Sequence, residues 1–203
     1  MDIYLIRHGE TDWNRMKKLQ GTTDIPLNAY GIELAEKTAE GLKAVPFDRI
    51  YTSPLIRARK TAEIIRGDRP IEIIETDGLK EISFGDYEGL CYLPDNYTIP
   101  KPGFRKFFDD PEHYDTPPHG ESLLHLRERT SSFVRSIMDD PANENMTFLM
   151  TAHGAAIRGI LSGLQNLPLA EFWSGPVHKN CGVTKLHVEH GKFNIEFENR
   201  LYY

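Results

Sequence analysis

The chain has 203 residues, 39% of them hydrophobic and 27% charged, an ordinary balance for one well-filled core and too apolar for a disordered chain. Its 24 basic and 30 acidic groups leave a formal charge of −6, which gives no general attraction to nucleic acid or to anionic membranes, so an anionic substrate must be drawn in by a local cluster of cations. No apolar stretch approaches the span of a bilayer, and the N-terminus has neither a basic region nor a signal-type apolar run, so the expectation is one cytoplasmic domain over residues 1–203.

Ile3-Tyr4-Leu5-Ile6 reads as a buried strand, and Gly9 just beyond it as the point where the chain turns away. Arg7 and His8 then stand at the strand's carboxyl edge, where ligands bind in open α/β sheets. A guanidinium offers a permanently charged fork of donors for an oxyanion, and an imidazole can be nucleophile, acid or base near neutral pH. The pair suits attack on a phosphate. Asn28 is placed to cap a helix whose apolar positions are Ile32, Ala35, Ala39 and Leu42 and which is closed by Pro46. Arg49-Ile50-Tyr51-Thr52 is a short strand; Ser53 is expected to cap the next helix, with Pro54 at its first position, and the helix runs to about Arg66. Arg57 falls in its first turn and so points back to the rim that carries Arg7.

Ile71-Glu72-Ile73-Ile74 is a third strand, followed by a loop, Leu79 to Gly85, that contains Glu81. From Gly89 to His119 the composition changes: Pro94, Pro100, Pro102, Pro111, Pro117 and Pro118 alternate with Tyr92, Tyr97, Phe104, Phe107, Phe108 and Tyr114. Prolines at this density forbid a long helix, while the aromatics argue against disorder. Residues 90–118 read either as an ordered insertion covering the site or as an aromatic mini-core unconnected to it. Glu121-Ser122 opens an amphipathic helix with Leu123, Leu126, Phe133, Val134 and Ile137 on one face, ending near Pro141. Thr147 to Thr151 is a further buried strand, and Ala152-His153-Gly154 repeats the pattern of a strand followed by His-Gly, which puts a second imidazole on the same rim. A helix through Ile157, Ile160 and Leu161 follows, with Gly163 as its expected stop, and Val183–Glu189 and Phe193–Glu198 form a hairpin turning at His190-Gly191. Strands alternating with helices imply a mostly parallel central sheet with helices on both faces, a three-layer α/β/α sandwich. Cys91 and Cys181 are far apart and read as passive packing residues, and the histidines lack the short spacings of zinc or two-metal sites, so no metal and no cofactor is expected.

The ordered set of motifs resembles the histidine phosphatase superfamily, the phosphoglycerate mutase-like group, over nearly the whole chain. Arg7-His8-Gly9-Glu10-Thr11 with Asn14 resembles its opening motif, and Gln20-Gly21 with Asp24, Pro26-Leu27 and Gly31 its continuation. Ser53-Pro54-Leu55 with Arg57-Ala58, then Leu79-Lys80-Glu81 with Phe84-Gly85 and Glu88-Gly89, resemble the next two, although Tyr87 stands where many relatives have Trp. Gly120-Glu121-Ser122 and Ala152-His153-Gly154 with Ile157-Arg158 resemble the last two. The resemblance implies His8 as nucleophile, Arg7, Arg57 and His153 as grips on the phosphoryl oxygens, and Asn14, Gln20 and Gly21 as substrate-binding neighbours. Glu81 would be the proton donor and acceptor, a role that asks for a raised pKa, with Glu88 and Glu121 as alternatives for it. Glu10 reads as structural, and of the remaining histidines only His119 is close enough in sequence to Gly120 to reach the pocket.

Three functions fit these residues. The first is a metal-independent phosphatase acting on small phosphate monoesters through a phosphohistidine. The second is a cofactor-dependent phosphoglycerate mutase, which needs further cations over the pocket, yet residues 90–118 hold only Lys101, Arg105 and Lys106. The third, a non-catalytic phospho-ligand binder, would be expected to have lost one of the site histidines or arginines. The partner implied is a small phosphorylated molecule, with no nucleic acid and no membrane, and the tail hairpin could pair across a homodimer.

Overall fold

A computed structural model describes residues 1–100 and 102–203; Lys101, counted above among the basic residues of the 90–118 stretch, lies outside the described residues. Six strands form one sheet: β1 (Asp2–Arg7), β2 (Arg49–Thr52), β3 (Ile73–Glu75), β4 (Thr147–Ala152), β5 (Val183–Glu189) and β6 (Lys192–Arg200), in the order β3-β2-β4-β1-β5-β6. The first four are mutually parallel, and β5 and β6 run antiparallel at one edge as the hairpin that the alternating tail predicts.

The two-residue period of β1 builds the three layers. Ile3 and Leu5 face a cluster with Val134 and Ile137 of α5 (Leu123–Met138) and Ile157, Ile160 and Leu161 of α6 (Gly154–Leu164). Tyr4 and Ile6 point the other way and pack with Leu42 and Phe47, which follow α2 (Ala29–Gly41), and with Ala62 and Ile65 of α3 (Ile56–Arg66). Because successive residues of a strand face opposite sides, a continuous apolar run such as 3–6 buries both faces at once. The same division splits β4, where Phe148 and Met150 face α5 and α6 while Leu149 faces α3.

The expected elements recur with instructive shifts. Asn28 caps α2 as read, its Oδ1 accepting from Gly31 N at 2.8 Å. Ser122 caps α5 and accepts from His125 N at 3.1 Å. Ser53 does not cap α3: the cap position falls two residues later, at Leu55, and the helix begins at Ile56, whose N–H donates to Asp24 Oδ1 at 2.7 Å, while the Ser53 hydroxyl accepts from Leu55 N at 3.3 Å and lies 2.8 Å from His153 Nε2. Gly163 does not stop α6, which continues to Leu164; a Cβ on Gly163 would lie 2.4 Å from Ser131 Cβ, so the glycine serves the close approach of α5 and α6. β3 starts at Ile73, two residues after the expected start, and the one-turn α1 (Asp12–Arg15), capped by Thr11, is too short to show a helical period.

No helix among the described residues is long and apolar enough to cross a membrane. Cys91 and Cys181 are buried and unpaired, as expected of packing residues. A second, aromatic cluster joins Phe84, Tyr87, Phe104, Phe107, Phe172 and Leu126, with Tyr92, Tyr114 and Trp173 packed against it. It sits beyond the carboxyl ends of the strands, and it includes both the proline-rich stretch and residues that follow α6. The short α4 (Lys106–Asp109) carries Phe107 and Phe108 into it.

Candidate active site

Three adjacent parallel strands deliver the site. β2, β4 and β1 end level with one another, Thr52 opposite Thr151 and Arg7 opposite Ala152, so that Ser53, His153 and His8 leave the sheet side by side. His8 N then donates to Ala152 O at 3.0 Å, which ties the two histidine-bearing strand ends together. The chain turns immediately at Gly9, where a Cβ would stand 2.4 Å from Gly31 O; glycine is required there by the approach of α2.

The His8 ring is buried, and its Nδ1 lies 2.6 Å from the Gly9 carbonyl, which only accepts, so Nδ1 carries the proton and Nε2 keeps a lone pair. Burial first, then the charges of Arg57 and Arg7, holds the ring well below the usual histidine pKa of 6.5. A neutral imidazole with a free Nε2 is what a nucleophile at this position needs. The two imidazole centroids lie 5.1 Å apart. His153 is fully buried, accepts from Arg57 Nε at Nδ1 (3.2 Å), and places Nε2 2.8 Å from Ser53 Oγ. Its pKa is likewise pushed well below 6.5 by burial, Arg57, His8 and Arg7.

Arg57 is held on three sides: by His153, by Gly21 O (Nη2, 2.7 Å) and by Thr23 O (Nη1, 2.9 Å). Burial brings its pKa down to about 10, so it stays charged at neutral pH. Arg7 donates from Nη1 to His178 O at 2.5 Å, and its buried Nε has no hydrogen-bond partner among the described residues. A buried charged donor without a partner is costly, and an anion in the adjoining pocket is the group that would satisfy it.

That pocket, about 150 Å³, is lined by Arg7, His8, Asn14, Gln20, Gly21, Arg57 and Glu81 on the polar side. Leu19, Phe84, Tyr92, Phe107, Phe108, Gly154, Ala155, Trp173 and Val177 form the rest, together with Lys18. The structure therefore gathers all but one of the site residues named from the sequence into one cavity; the exception is His153, which does not line it, because its two ring nitrogens are taken by Arg57 and Ser53, and which stands beside His8 rather than as a grip on the phosphoryl oxygens. Gln20 Oε1 accepts from Thr11 Oγ1 at 2.9 Å, and Asn14 Oδ1 accepts from Thr11 N at 3.1 Å, which leaves each amide NH2 as the group available to a ligand.

Glu81 is half-buried at the N-terminus of α6. Oε1 accepts from Ile82 N (3.0 Å) and Ala156 N (2.9 Å), and Oε2 from Ala155 N (3.3 Å). Burial raises its pKa above the usual 4.5, against the opposing pull of these N–H groups and of Arg57 and Arg7. The two alternatives lie elsewhere. Glu88 accepts from Thr22 N (2.9 Å), Thr23 N (2.8 Å), Phe84 N (3.1 Å) and the Thr23 hydroxyl, joining the 20–24 loop to the 83–88 loop. Glu121 is paired with Arg129 at 2.9 Å and His125 at 2.6 Å. Glu10 accepts from Asn28 Nδ2 at 3.0 Å, the structural role expected of it. His119 does not reach the pocket: it is exposed and pairs with Asp86 at 3.0 Å. The sequence reading missed Trp173, whose Nε1 donates to Phe107 O and so ties the post-α6 segment to the proline-rich stretch. It missed Asn180 as well, and no local pattern marked either residue.

A pocket lined by His8, two arginines and a carboxyl at the ends of parallel strands, with a second buried imidazole 5.1 Å from the first, defines a phosphoryl-handling α/β enzyme. The chain belongs to the histidine phosphatase superfamily (branch 1), which it matches over residues 3–200. The uncharacterized phosphatase PhoE of Bacillus subtilis is 40% identical over 160 residues, 79% of this chain and 75% of that protein. The probable phosphoglycerate mutase GpmB of Escherichia fergusonii is 33% identical over 195 residues, 95% and 87% of the two chains. Among solved structures, phosphoserine phosphatase of Entamoeba histolytica in complex with 3-phosphoglyceric acid superposes with a TM-score of 0.83 at 33% identity, covering 98% of this chain and 96% of that one.

Proposed function

We propose that the chain is a metal-independent phosphatase that hydrolyses small phosphate monoesters through a phosphohistidine at His8. The observation that carries this is the His8 ring itself: Nδ1 is committed to Gly9 O, the ring is held neutral, and the nucleophilic Nε2 faces a pocket that also holds Arg7, Arg57 and Glu81. In the first step Nε2 forms a bond to phosphorus as the bond from phosphorus to the ester oxygen breaks, and the protonated Glu81 gives its proton to that oxygen. The phosphoryl oxygens draw charge stabilisation from Arg7, including its unpartnered Nε, and from Arg57. In the second step Glu81, now a carboxylate, takes a proton from water; the water oxygen bonds to phosphorus, and the electron pair of the P–N bond returns to Nε2.

The body of the ester would lie against Phe84, Tyr92, Phe107, Phe108 and Trp173, which suits a substrate with an apolar or neutral body. In this reading residues 90–118 are an insertion that sets selectivity. A mutase needs a second anion held over the same pocket, and the lining offers Lys18 as its one cation besides Arg7 and Arg57 among the described residues.

The test is release of inorganic phosphate from a panel of monoesters in excess chelator, beside 3-phosphoglycerate with and without a bisphosphoglycerate primer, with His8→Ala as control. Release that survives the chelator and disappears in His8→Ala is the expected result. Primer-dependent isomerisation with little release would make the protein a mutase. Silence in both, with phosphate still bound, would make it a phospho-ligand binder.

A further inference from the structure

Arg7, His8 and Asn14 come from the N-terminal strand and loop, yet all three are fixed by one segment near the other end of the chain. Arg7 Nη1 donates to His178 O at 2.5 Å, and Cys181 N donates to Arg7 O at 2.9 Å. Asn180 Nδ2 donates to His8 O at 3.0 Å and to Asn14 Oδ1 at 3.3 Å. The segment is itself anchored from the tail: Asn199 Oδ1 accepts from Lys179 N at 2.9 Å, and the Tyr203 hydroxyl donates to Asn180 O at 2.7 Å. Cys181 adopts a φ of 55°, a left-handed turn that points the 177–181 backbone back at β1.

We propose that Asn180 is a positioning residue that sets the orientation of the Asn14 amide and thereby aims its NH2 at the phosphoryl group. Backbone atoms decide the direction of the relay. A carbonyl only accepts, so His8 O obliges Asn180 to present its NH2; a backbone N–H only donates, so Thr11 N obliges Asn14 to present Oδ1. With Oδ1 claimed by Thr11 and Asn180 together, the Asn14 NH2 is left for the pocket that Asn14 lines. Asn180 touches no reacting atom; it acts through Asn14 and through the backbone of His8.

An aspartate at 180 keeps the shape and loses both donors. Its carboxylate would face two acceptors, His8 O and Asn14 Oδ1. Asn14 can relieve that contact only by turning its NH2 to the carboxylate, which strands Thr11 N and aims Oδ1 at the phosphate. The inference rests on the phosphatase reading for what the Asn14 amide binds.

The experiment measures steady-state kinetics on a phosphate monoester, and calorimetric affinity for inorganic phosphate, for Asn180→Asp and Asn180→Ala, each alone and combined with Asn14→Ala. The expected result for Asn180→Asp is a rise in KM and a loss of phosphate affinity of about tenfold or more, larger than for Asn180→Ala, as befits one charge-assisted contact turned from attractive to repulsive. In the Asn14→Ala background the further loss from either change should shrink, because the residue they act through is gone. Full additivity of Asn180 and Asn14, or wild-type phosphate affinity in both Asn180 variants, overturns the proposal. Should Asn180→Asp fail to fold, Asn180→Ala and its pairing with Asn14→Ala decide it alone. Failure of the phosphatase reading is seen separately, as wild-type protein that binds phosphate without releasing any from esters; the calorimetric cycle still decides the role of Asn180.

Discussion

At the scale of single residues, the proposed reaction sets opposite protonation demands on neighbours. In it His8 is neutral and Glu81 holds a proton at the start of the cycle; the same burial that drives the imidazole pKa down drives the carboxyl pKa up. This predicts a sharp dependence on the leaving group. Glu81→Gln removes the proton but keeps the shape, so kcat/KM for an alkyl phosphate should fall about 10²–10⁴-fold, while 4-nitrophenyl phosphate, whose leaving oxygen needs no proton, should lose far less. Equal losses on both esters would show that Glu81 does not supply that proton. The residues bearing this chemistry were legible because they occur in short motifs just after apolar runs, Arg7-His8 after 3–6 and His153 after 147–152. Asn180 was not legible: it precedes a strand with no cluster around it, and only the tertiary fold brings it to Asn14.

At the scale of elements, the position of Arg57 depends on two loops that lie outside its helix. Its guanidinium is held by Gly21 O and Thr23 O, and the 20–24 loop is held in turn by Glu88, whose carboxylate takes four hydrogen bonds from Thr22 and Thr23. Gly21 has a φ of 52°, and a Cβ there would stand 2.0 Å from Glu88 Oε1, so both backbone conformation and space require glycine. Hydrogen bonds to a charged group contribute about 1.5–3 kcal/mol each when their loss strands a partner. Glu88→Gln should therefore lower stability by about 2–3 kcal/mol in urea unfolding and raise KM through a misplaced Arg57. Gly21→Ala should do the same, and the double variant should cost less than the sum, since either change alone releases the loop. Strict additivity would mean that the two residues do not act on one latch. Glu88 stood in the sequence as a rival for proton transfer; motif position alone could not separate a carboxylate that accepts four loop donors from one that faces the pocket. The strand and helix order was readable from periodicity because each layer needs its own apolar face. Ser53 differs from its expected capping role because the helix starts two residues later than Ser53-Pro54 suggests: the hydroxyl accepts from Leu55 N in a local turn and also meets His153 at the end of the neighbouring strand, a contact no local rule contains.

At the scale of the whole molecule, the cost of building this site is written into the dependence of stability on pH. His8, His153 and His178 are all buried with pKa values below the ordinary 6.5, that of His178 down to about 3. In the unfolded chain each takes a proton near pH 6.5, while in the folded protein it does not. The unfolded state thus binds more protons, and stability is lost as pH falls below 6.5, by about 1.4 kcal/mol per pH unit for each such histidine. Glu81 works in the opposite sense, since its raised pKa lets the folded protein hold a proton that the unfolded chain has released above about 4.5, but it is one group against three. Urea unfolding between pH 7.5 and 5 should show stability falling steadily below 6.5. His178→Gln should reduce that slope by about a third, because His178 lies at the end of the Arg7 contact and titrates nothing in catalysis. Saturating inorganic phosphate should flatten the slope further, since an anion beside His8 and His153 favours their protonated forms in the folded state. A stability that stays level from pH 7.5 to 5 would mean that these histidines take up their protons in the folded protein at the same pH as in the unfolded chain, and burial would then not be what holds the nucleophile of the proposed reaction neutral.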